Sequence, residues 1–329
     1  MANQGILVVA EIAGGKVSPV THEALALAHK LQATLGGDVA ALAIGAVSEA
    51  VTKSLISHGA KKVYAVNNPD LAVYSPDAYV QVVQQVIAKA NPRLVLLGQT
   101  DIGRDLAPKA AFRLKATLTM DCVDLAVEGA AIRATKPVYG GNAQAIYESS
   151  AALHMATIRP KAFEAMPAND AAHGGVEQVS IAIDQSKVKV KTLEMKKEQA
   201  QGLRLEDAPV VVSGGRGLGG PEPFAKLEEL AKILGGAVGA SRAVCDAGWQ
   251  PVAKQVGLTG KTVTPDLYIA VAISGASQHM AGCSGSKNIV AINKDKDSSI
   301  FKESRFGVVG AWEEVLPAFT EMCRELRGA

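Results

Sequence analysis

Pro209-Val210-Val211-Val212-Ser213-Gly214-Gly215-Arg216-Gly217-Leu218-Gly219-Gly220 is an apolar run that breaks into a glycine-rich turn. A helical pattern follows at 222–234. An apolar run without alternation reads as a strand covered on both faces, and strand, tight turn and helix together open a parallel α/β unit. Further strand-like runs follow at 237–240, 267–273, 288–292 and 307–310, with helical stretches at 277–282 and 312–326. The loops after these strands are predicted to share one sheet edge, the carboxyl edge, where α/β sheets bind ligands.

The same alternation runs upstream. Strands are predicted at 6–12, 39–44, 62–66 and 94–98, with helices at 21–35, 48–58 and 76–90. Short connections between them predict a doubly wound parallel sheet, nucleotide-binding-like in its layout. Residues 124–128, 131–135 and 143–149 are short runs joined by glycine turns, and they predict antiparallel strands appended to that sheet. Residues 161–178 read as a loop and 186–195 as one last strand. A polar stretch near 195–208 divides the chain into an N-terminal domain, 1–197, and a C-terminal domain, 198–329. The fold class is therefore α/β in both halves.

At 329 residues, two domains fit the usual domain size. Apolar residues make up 48% and charged residues 20%, enough for full cores. Lys plus Arg number 34 against 32 Asp plus Glu, so no basic excess points to nucleic acid. The Lys-rich run 187–197 reads as a solvated strand and linker. The four cysteines, Cys122, Cys245, Cys283 and Cys323, have neither zinc-site nor disulfide-framework spacing and read as reduced thiols. No apolar stretch approaches the ~20 residues of a membrane span, and the chain enters a strand almost at once, without a basic leader. A soluble bacterial cytoplasmic protein is expected, and a processed mitochondrial matrix protein is also compatible.

Five loops carry the chemistry. Gly215-x-Gly217-x-x-Gly220 formally matches the dinucleotide fingerprint, in which glycines admit a pyrophosphate. That fingerprint also requires an acidic residue after the next strand. Here the strand ends Gly239-Ala240-Ser241-Arg242, which argues against a standard NAD unit. Ser241 and Arg242 sit at a carboxyl edge, although a lone arginine there also suits a surface ion pair. Gln255-Val256-Gly257-Leu258-Thr259-Gly260-Lys261 predicts a tight loop exposing amides and the Thr259 hydroxyl. Ile273-Ser274-Gly275-Ala276-Ser277-Gln278-His279 opens a helix after the most apolar strand of this half, and Asn293 ends the strand 288–292 in polar groups.

The ordered series S-G-G-R-G-L, A-S-R-A-x-x-D-A-G, Q-V-G-x-T-G-K, I-S-G-A-x-Q-H-x-A-G and A-I-N-K-D resembles the alpha subunit of electron transfer flavoprotein. The resemblance extends over Gly98-Gln99-Thr100-Asp101-Ile102-Gly103-Arg104 and Met155-Ala156-Thr157-Ile158-Arg159-Pro160, and so covers essentially the whole chain. It implies a flavodoxin-like, DHS-like C-terminal domain that binds FAD, and an N-terminal domain for subunit contact. It also implies a heterodimer with a beta subunit. The role implied is electron carriage, not enzymatic catalysis. Electrons would pass from flavin dehydrogenases, such as the acyl-CoA dehydrogenases of fatty acid beta-oxidation, to a quinone oxidoreductase or other acceptor. Neither nucleic-acid binding nor membrane embedding is implied.

Carried over by motif, the FAD-binding positions are Arg216, Ser241, Arg242, Val256, Gly257, Leu258, Thr259, Ser274, Gly275, Ala276, Ser277, Gln278, His279, Asn293, Ala311 and Trp312. Arg242 would be the cation beside the isoalloxazine ring, Thr259 a donor near N5, and His279 a partner on the N1/C2 side. Leu258 and Ala311 stand where the family often has Gln and Asp, so those two side-chain contacts are absent here. Two competing readings are an electron-bifurcating complex that oxidises NADH with its beta partner and a colourless adenine-nucleotide regulator built on the first domain.

Overall fold

A computed structural model describes residues 3–141, 143–190, 192 and 203–328. The polar boundary stretch up to residue 202 and much of the Lys-rich run fall outside the described residues. The chain forms two compact units, one of Met1–Val138 and Ala143–Lys196, the other of Tyr139–Asn142 and Lys197–Ala329.

In the first unit the strands are β1 (Ile6–Val9), β2 (Ile12–Ala13), β3 (Lys16–Val17), β4 (Val39–Gly45), β5 (Lys62–Asn67), β6 (Leu94–Gly98), β7 (Thr117–Cys122), β8 (Asp124–Glu128), β9 (Ala131–Val138), β10 (Ala143–Ser149), β11 (His154–Ile158) and β12 (Gly175–Gln178). Its helices are α1 (Pro19–Leu35), α2 (Glu49–Ser57), α3 (Pro76–Ala90) and α4 (Asp101–Leu114). Seven strands form one sheet in the order β12-β5-β4-β1-β6-β11-β7, with every pairing parallel. Successive side chains of a strand feed opposite faces. Thus Ile6, Val8, Leu94 and Leu96 pack with Leu25 of α1 and Leu55 of α2. Leu7, Val9, Val95 and Leu97 pack with Val83 of α3 and Leu106 of α4. Each such fully buried aliphatic side chain contributes about 1.5–3 kcal/mol.

Several elements differ from the sequence expectations. The strands at 124–128, 131–138 and 143–149 are antiparallel, but they form a separate three-stranded sheet in the order β10-β9-β8. Leu125, Ile132 and Ala134 turn inward and join the α1 side of the core, so packing and not a shared ladder attaches this sheet. Helix α4 lies where Gly103 and Pro108 obscure the helical pattern. Thr100 starts it by accepting from the Gly103 amide at 3.1 Å. The expected loop at 161–178 ends in the edge strand β12, pinned by Glu177 on Lys62 at 2.7 Å. The expected strand at 186–195 is not found among its described residues, where Gln185–Lys187 is a single helical turn.

In the second unit the strands are β13 (Val210–Gly214), β14 (Ala237–Ala240), β15 (Leu267–Val271), β16 (Ile289–Asn293) and β17 (Phe306–Val309). The helices are α5 (Phe224–Leu234), α6 (Arg242–Asp246), α7 (Ser277–Met280), α8 (Ile300–Glu303) and α9 (Trp312–Arg327). The sheet order is β14-β13-β15-β16-β17, wholly parallel. Numbered within the unit this is 2-1-3-4-5, the flavodoxin-like order. Val210, Val212, Ile269 and Val271 face Leu227 and Leu230 of α5 and Leu316 of α9. Val211, Tyr268, Ala270 and Ala291 face Met280 and Ile300.

Ala272, just past β15, has φ +55, a left-handed conformation that costs a residue with a Cβ about 1–2 kcal/mol. Ala272→Gly removes that strain and adds about 0.5–1 kcal/mol of chain entropy to the unfolded state. The expected outcome is a net stabilisation of about 0.5–1 kcal/mol, measured by urea unfolding. A destabilised variant would show that the methyl group matters more than the strain.

Candidate functional site

The chain leaves β13 toward β14 and returns on the other side as β15, so the loops after β13 and β15 diverge at the carboxyl edge. Such a switch point is where an open α/β sheet has room for a ligand. Here the two loops touch at their base before they part. The Gly215 amide donates to the Val271 carbonyl at 2.9 Å, and a Cβ on Gly215 would lie 2.0 Å from the Ala272 carbonyl oxygen. Only glycine permits that approach. Above it opens a cleft of about 850 Å³, near the top of the usual range for small-molecule sites.

Arg216, exposed, follows β13. Ser241 and Arg242 follow β14 and start α6. The Arg242 Nε is 3.3 Å from a carboxylate oxygen of Asp246, one turn on, and both side chains are about two-thirds exposed. Both residues line the cleft. The arginine is thus an ion-pair partner as well as a wall of the cleft, and its counter-charge lies beside it.

The chain then returns beside β14 through a single bridge between Ala240 and Gln255. Its loop is largely satisfied internally. The amides of Val256, Gly257, Leu258, Gly260 and Lys261 donate to Ala240, Lys261, Gln278, Gly257 and Gln255 carbonyls, so they are not offered outward as a simple glycine loop suggests. Gly257 adopts φ +144, with space for a Cβ only 2.9 Å from the Gln278 carbonyl. The Thr259 hydroxyl accepts from the buried Gln255 amide at 3.0 Å, which leaves its own proton free to donate. Leu258 is exposed at the rim.

After β15 come Ser274, Gly275, Ala276 and α7. Among the described residues the amides of Gly275, Ala276, Ser277 and Gln278 have no acceptor in the protein. Such unspent donors at a turn suit an anionic group. His279 is buried, and its Nε2 lies 2.8 Å from the Tyr268 hydroxyl. Its Nδ1 is buried without a hydrogen-bond partner, and the Val256 backbone acts on the ring in the sense that favours its protonated form. Burial holds the imidazole down to about 4, so the ring is neutral at pH 7. Asn293, the last residue of β16, spends its side chain inside the protein. Its Nδ2 donates to the Ile273 carbonyl at 2.9 Å and to Ser298 Oγ at 3.2 Å, and its Oδ1 accepts from the Asp295 amide at 3.0 Å. It ties the β15 and β16 loops together.

The cleft thus gathers Arg216, Ser241, Arg242, Val256, Gly257, Leu258, Thr259, Ser274, Ala276, Gln278, His279 and Asn293 of the predicted set. Gly275 is buried under Ile300 and Ser277 is exposed at the start of α7, and neither lines it. Trp312 walls a separate hollow of about 40 Å³ with Gly217, Ala272, Ile292, Asn293 and Lys294. Its indole nitrogen is buried without a partner there, and the Lys226 ammonium is 5.5 Å from its ring. Ala311 precedes α9 and lines neither cavity. Gln255 and Asp246 carried no predicted role. Neither has a signal of its own in the sequence, since one acts through Thr259 and the other through Arg242.

A cofactor with a negatively charged pyrophosphate and a ring rich in hydrogen-bond acceptors fits the groups that line the cleft: two guanidiniums, the unspent amides of Ala276 and Gln278, and a free hydroxyl proton. A family model described as the electron transfer flavoprotein domain matches residues 6–184. A second, the electron transfer flavoprotein FAD-binding domain, matches residues 204–284. The chain is 41% identical over 321 residues to the electron transfer flavoprotein subunit alpha of Bacillus subtilis, covering 98% of each chain. It is 43% identical over 324 residues to the protein of the same name from Thermoanaerobacterium thermosaccharolyticum, again covering 98% of each. It is 37% identical over 317 residues to Protein FixB of Azotobacter vinelandii, covering 93% of this chain and 87% of the other.

The His279 site also sets a pH response. A histidine that is harder to protonate folded than unfolded leaves stability intact above about 6.5 and removes it as pH falls toward 4. His22 and His154, also held near 4 by burial, act in the same sense, while Glu23, raised to about 7 by burial, acts in the opposite sense. Replacing His279 with Gln should flatten the fall in unfolding free energy between pH 6.5 and 4 by up to about 1.4 kcal/mol per pH unit. Urea titrations across that window test it, and a slope equal to wild type would show that His279 is not protonated on unfolding alone.

Proposed function

We propose, from the premise that the chain belongs to the electron transfer flavoprotein alpha-subunit family, that it forms one half of a heterodimer with a beta subunit and holds FAD in the cleft at the β13/β15 switch point. Members of that family carry electrons and are not enzymes with a substrate of their own, and the C-terminal half of this chain contains the family's FAD-binding domain. The observation that carries the placement is the convergence of four strand-end loops on one 850 Å³ cleft lined by Arg216, Arg242 and Thr259.

Bound FAD supplies the electron-accepting and electron-donating chemistry, and the protein supplies position and electrostatics. Arg216 and the amides of Gly275–Gln278 suit the pyrophosphate. Arg242 and Thr259 supply a cation and a hydroxyl donor to the ring system, and Ser241 a further hydroxyl. Gln255 holds the Thr259 oxygen so that its proton points away from the core. Ala311 and Trp312 are assigned to the same cofactor's periphery. Residues 1–197 serve subunit contact and residues 198–329 hold the flavin. Electrons arrive from flavin dehydrogenases, including acyl-CoA dehydrogenases of fatty acid beta-oxidation, and leave to a quinone oxidoreductase or another acceptor. The setting proposed is the bacterial cytoplasm. No helix among the described residues is long and apolar enough to cross a membrane.

Co-expression with the beta subunit should yield a yellow heterodimer with one FAD in this chain's cleft. A colourless heterodimer ends the proposal, and bleaching by NADH alone would assign the complex to NADH oxidation. Arg242→Ala should retain most FAD but lower the flavin's midpoint potential. An exposed cation at ~4 Å is worth about 1 kcal/mol in the water limit, or ~40 mV for one electron. Asp246 reduces that further. An unchanged potential in a redox titration would remove Arg242 from the role.

A further inference from the structure

Tyr268 lies on β15, one layer below the cleft, and is fully buried. Among the described residues its phenol makes one hydrogen bond, the 2.8 Å contact with Nε2 of His279. Ser213 and Cys283 lie near the phenol, but Ser213 Oγ has no hydrogen-bond partner and the Cys283 thiol is spent on the His279 carbonyl. A buried O–H must be placed somewhere, because leaving it unpaired costs more than a normal hydrogen bond returns. If Nε2 carried the imidazole proton, it would donate to the phenol oxygen, and the phenol proton would be left to the Ser213 oxygen or the Cys283 sulfur, neither of which is in hydrogen-bonding geometry with it. If Nε2 is bare, it accepts from the phenol and both groups are satisfied.

We propose that Tyr268 is a positioning residue: its hydroxyl donates to Nε2 of His279, a residue that lines the cleft, and fixes the tautomer that carries its proton on the buried Nδ1. The His279 ring then lines the cleft in a neutral form with a set orientation. Burial supports the assignment from both sides, since it disfavours the imidazolium and the phenolate alike. The inference rests on the FAD reading only for the ligand of the cleft that the ring lines; the tautomer itself is a property of this chain.

The test is 15N–1H correlation NMR of the full-length chain labelled on its six histidines, at pH 7, with His279→Gln to assign the signal. Wild type should show the His279 proton on Nδ1. Tyr268→Phe should lower the ratio of that tautomer to the Nε2–H form by about fivefold, the factor one hydrogen bond of ordinary net strength sustains. In the FAD-loaded heterodimer, Tyr268→Phe should weaken FAD retention by a comparable factor in wild type and by none in the His279→Gln background, because the two act through one contact. An Nε2–H signal in wild type overturns the proposal, and this holds even if Tyr268→Phe does not fold. An unchanged ratio in Tyr268→Phe, or additive losses in the double variant, also overturns it. Absence of FAD with the Nδ1–H tautomer intact would sink the flavin assignment and leave the Tyr268 role standing.

Discussion

The contact between the Gly215 backbone and the Ala272 carbonyl fixes where everything else in the second unit can be. The ladder places Gly214 opposite Val271, so the chains leave β13 and β15 at the same height. With no Cβ on Gly215 the two backbones stay in contact for one more residue, and only then do they separate. The space they open is floored by main chain and walled by whatever each loop carries. Ala272 accepts a left-handed backbone to make the turn. Residues held in such conformations persist where the surrounding structure over-determines them. Here the over-determination is the parallel ladder on both sides of β15.

The polar groups above that floor divide into those spent on the protein and those left over. Asn293 and Gln255 are spent: one clamps two loops, the other holds a hydroxyl. Arg242 is half spent on an exposed pair with Asp246, and exposed pairs are worth little in water, so the arginine can exchange partners at small cost. His279 Nδ1 and the amides of Gly275–Gln278 are left over. An exposed amide is already paired with water, so a ligand acceptor there returns only the modest net of an ordinary hydrogen bond, about 0.5–1.5 kcal/mol. The two guanidiniums and the unspent amides that line the cleft suit an electron-rich guest better than an electron-poor one.

The sequence showed the second sheet well because its strands are buried on both faces and read as unbroken apolar runs, such as Val210-Val211-Val212. It showed the site loops because each follows such a strand. It hid elements that depend on neighbours: β12 is held by the edge of β5 and an ion pair, and α4 is held by packing despite Gly103 and Pro108. It also hid roles that depend on a third dimension. Tyr268 reads as one more apolar strand residue, and nothing local says that its hydroxyl meets a histidine eleven positions on. The sequence pattern suggested a loop at 255–261 that offers its amides, but the structure consumes most of them, because a loop that returns alongside β14 must satisfy its own backbone first.

The first unit has a switch point of its own, and its chemistry runs the other way. In the order β5-β4-β1-β6 the chain reverses between β1 and β6, so the crevice lies past Val9 and Gly98. Glu11 and Thr100 meet there, with the Thr100 hydroxyl donating to the Glu11 carboxylate at 2.6 Å, and a Cβ on Gly98 would strike Val20 at 2.7 Å. Burial raises the Glu11 carboxyl above its ordinary range. A partly buried carboxyl group with its own donor already in place repels a phosphate once ionised. The same topology thus places a carboxyl group at one switch point and a guanidinium at the other: Glu11 two residues past β1, Arg216 two residues past β13.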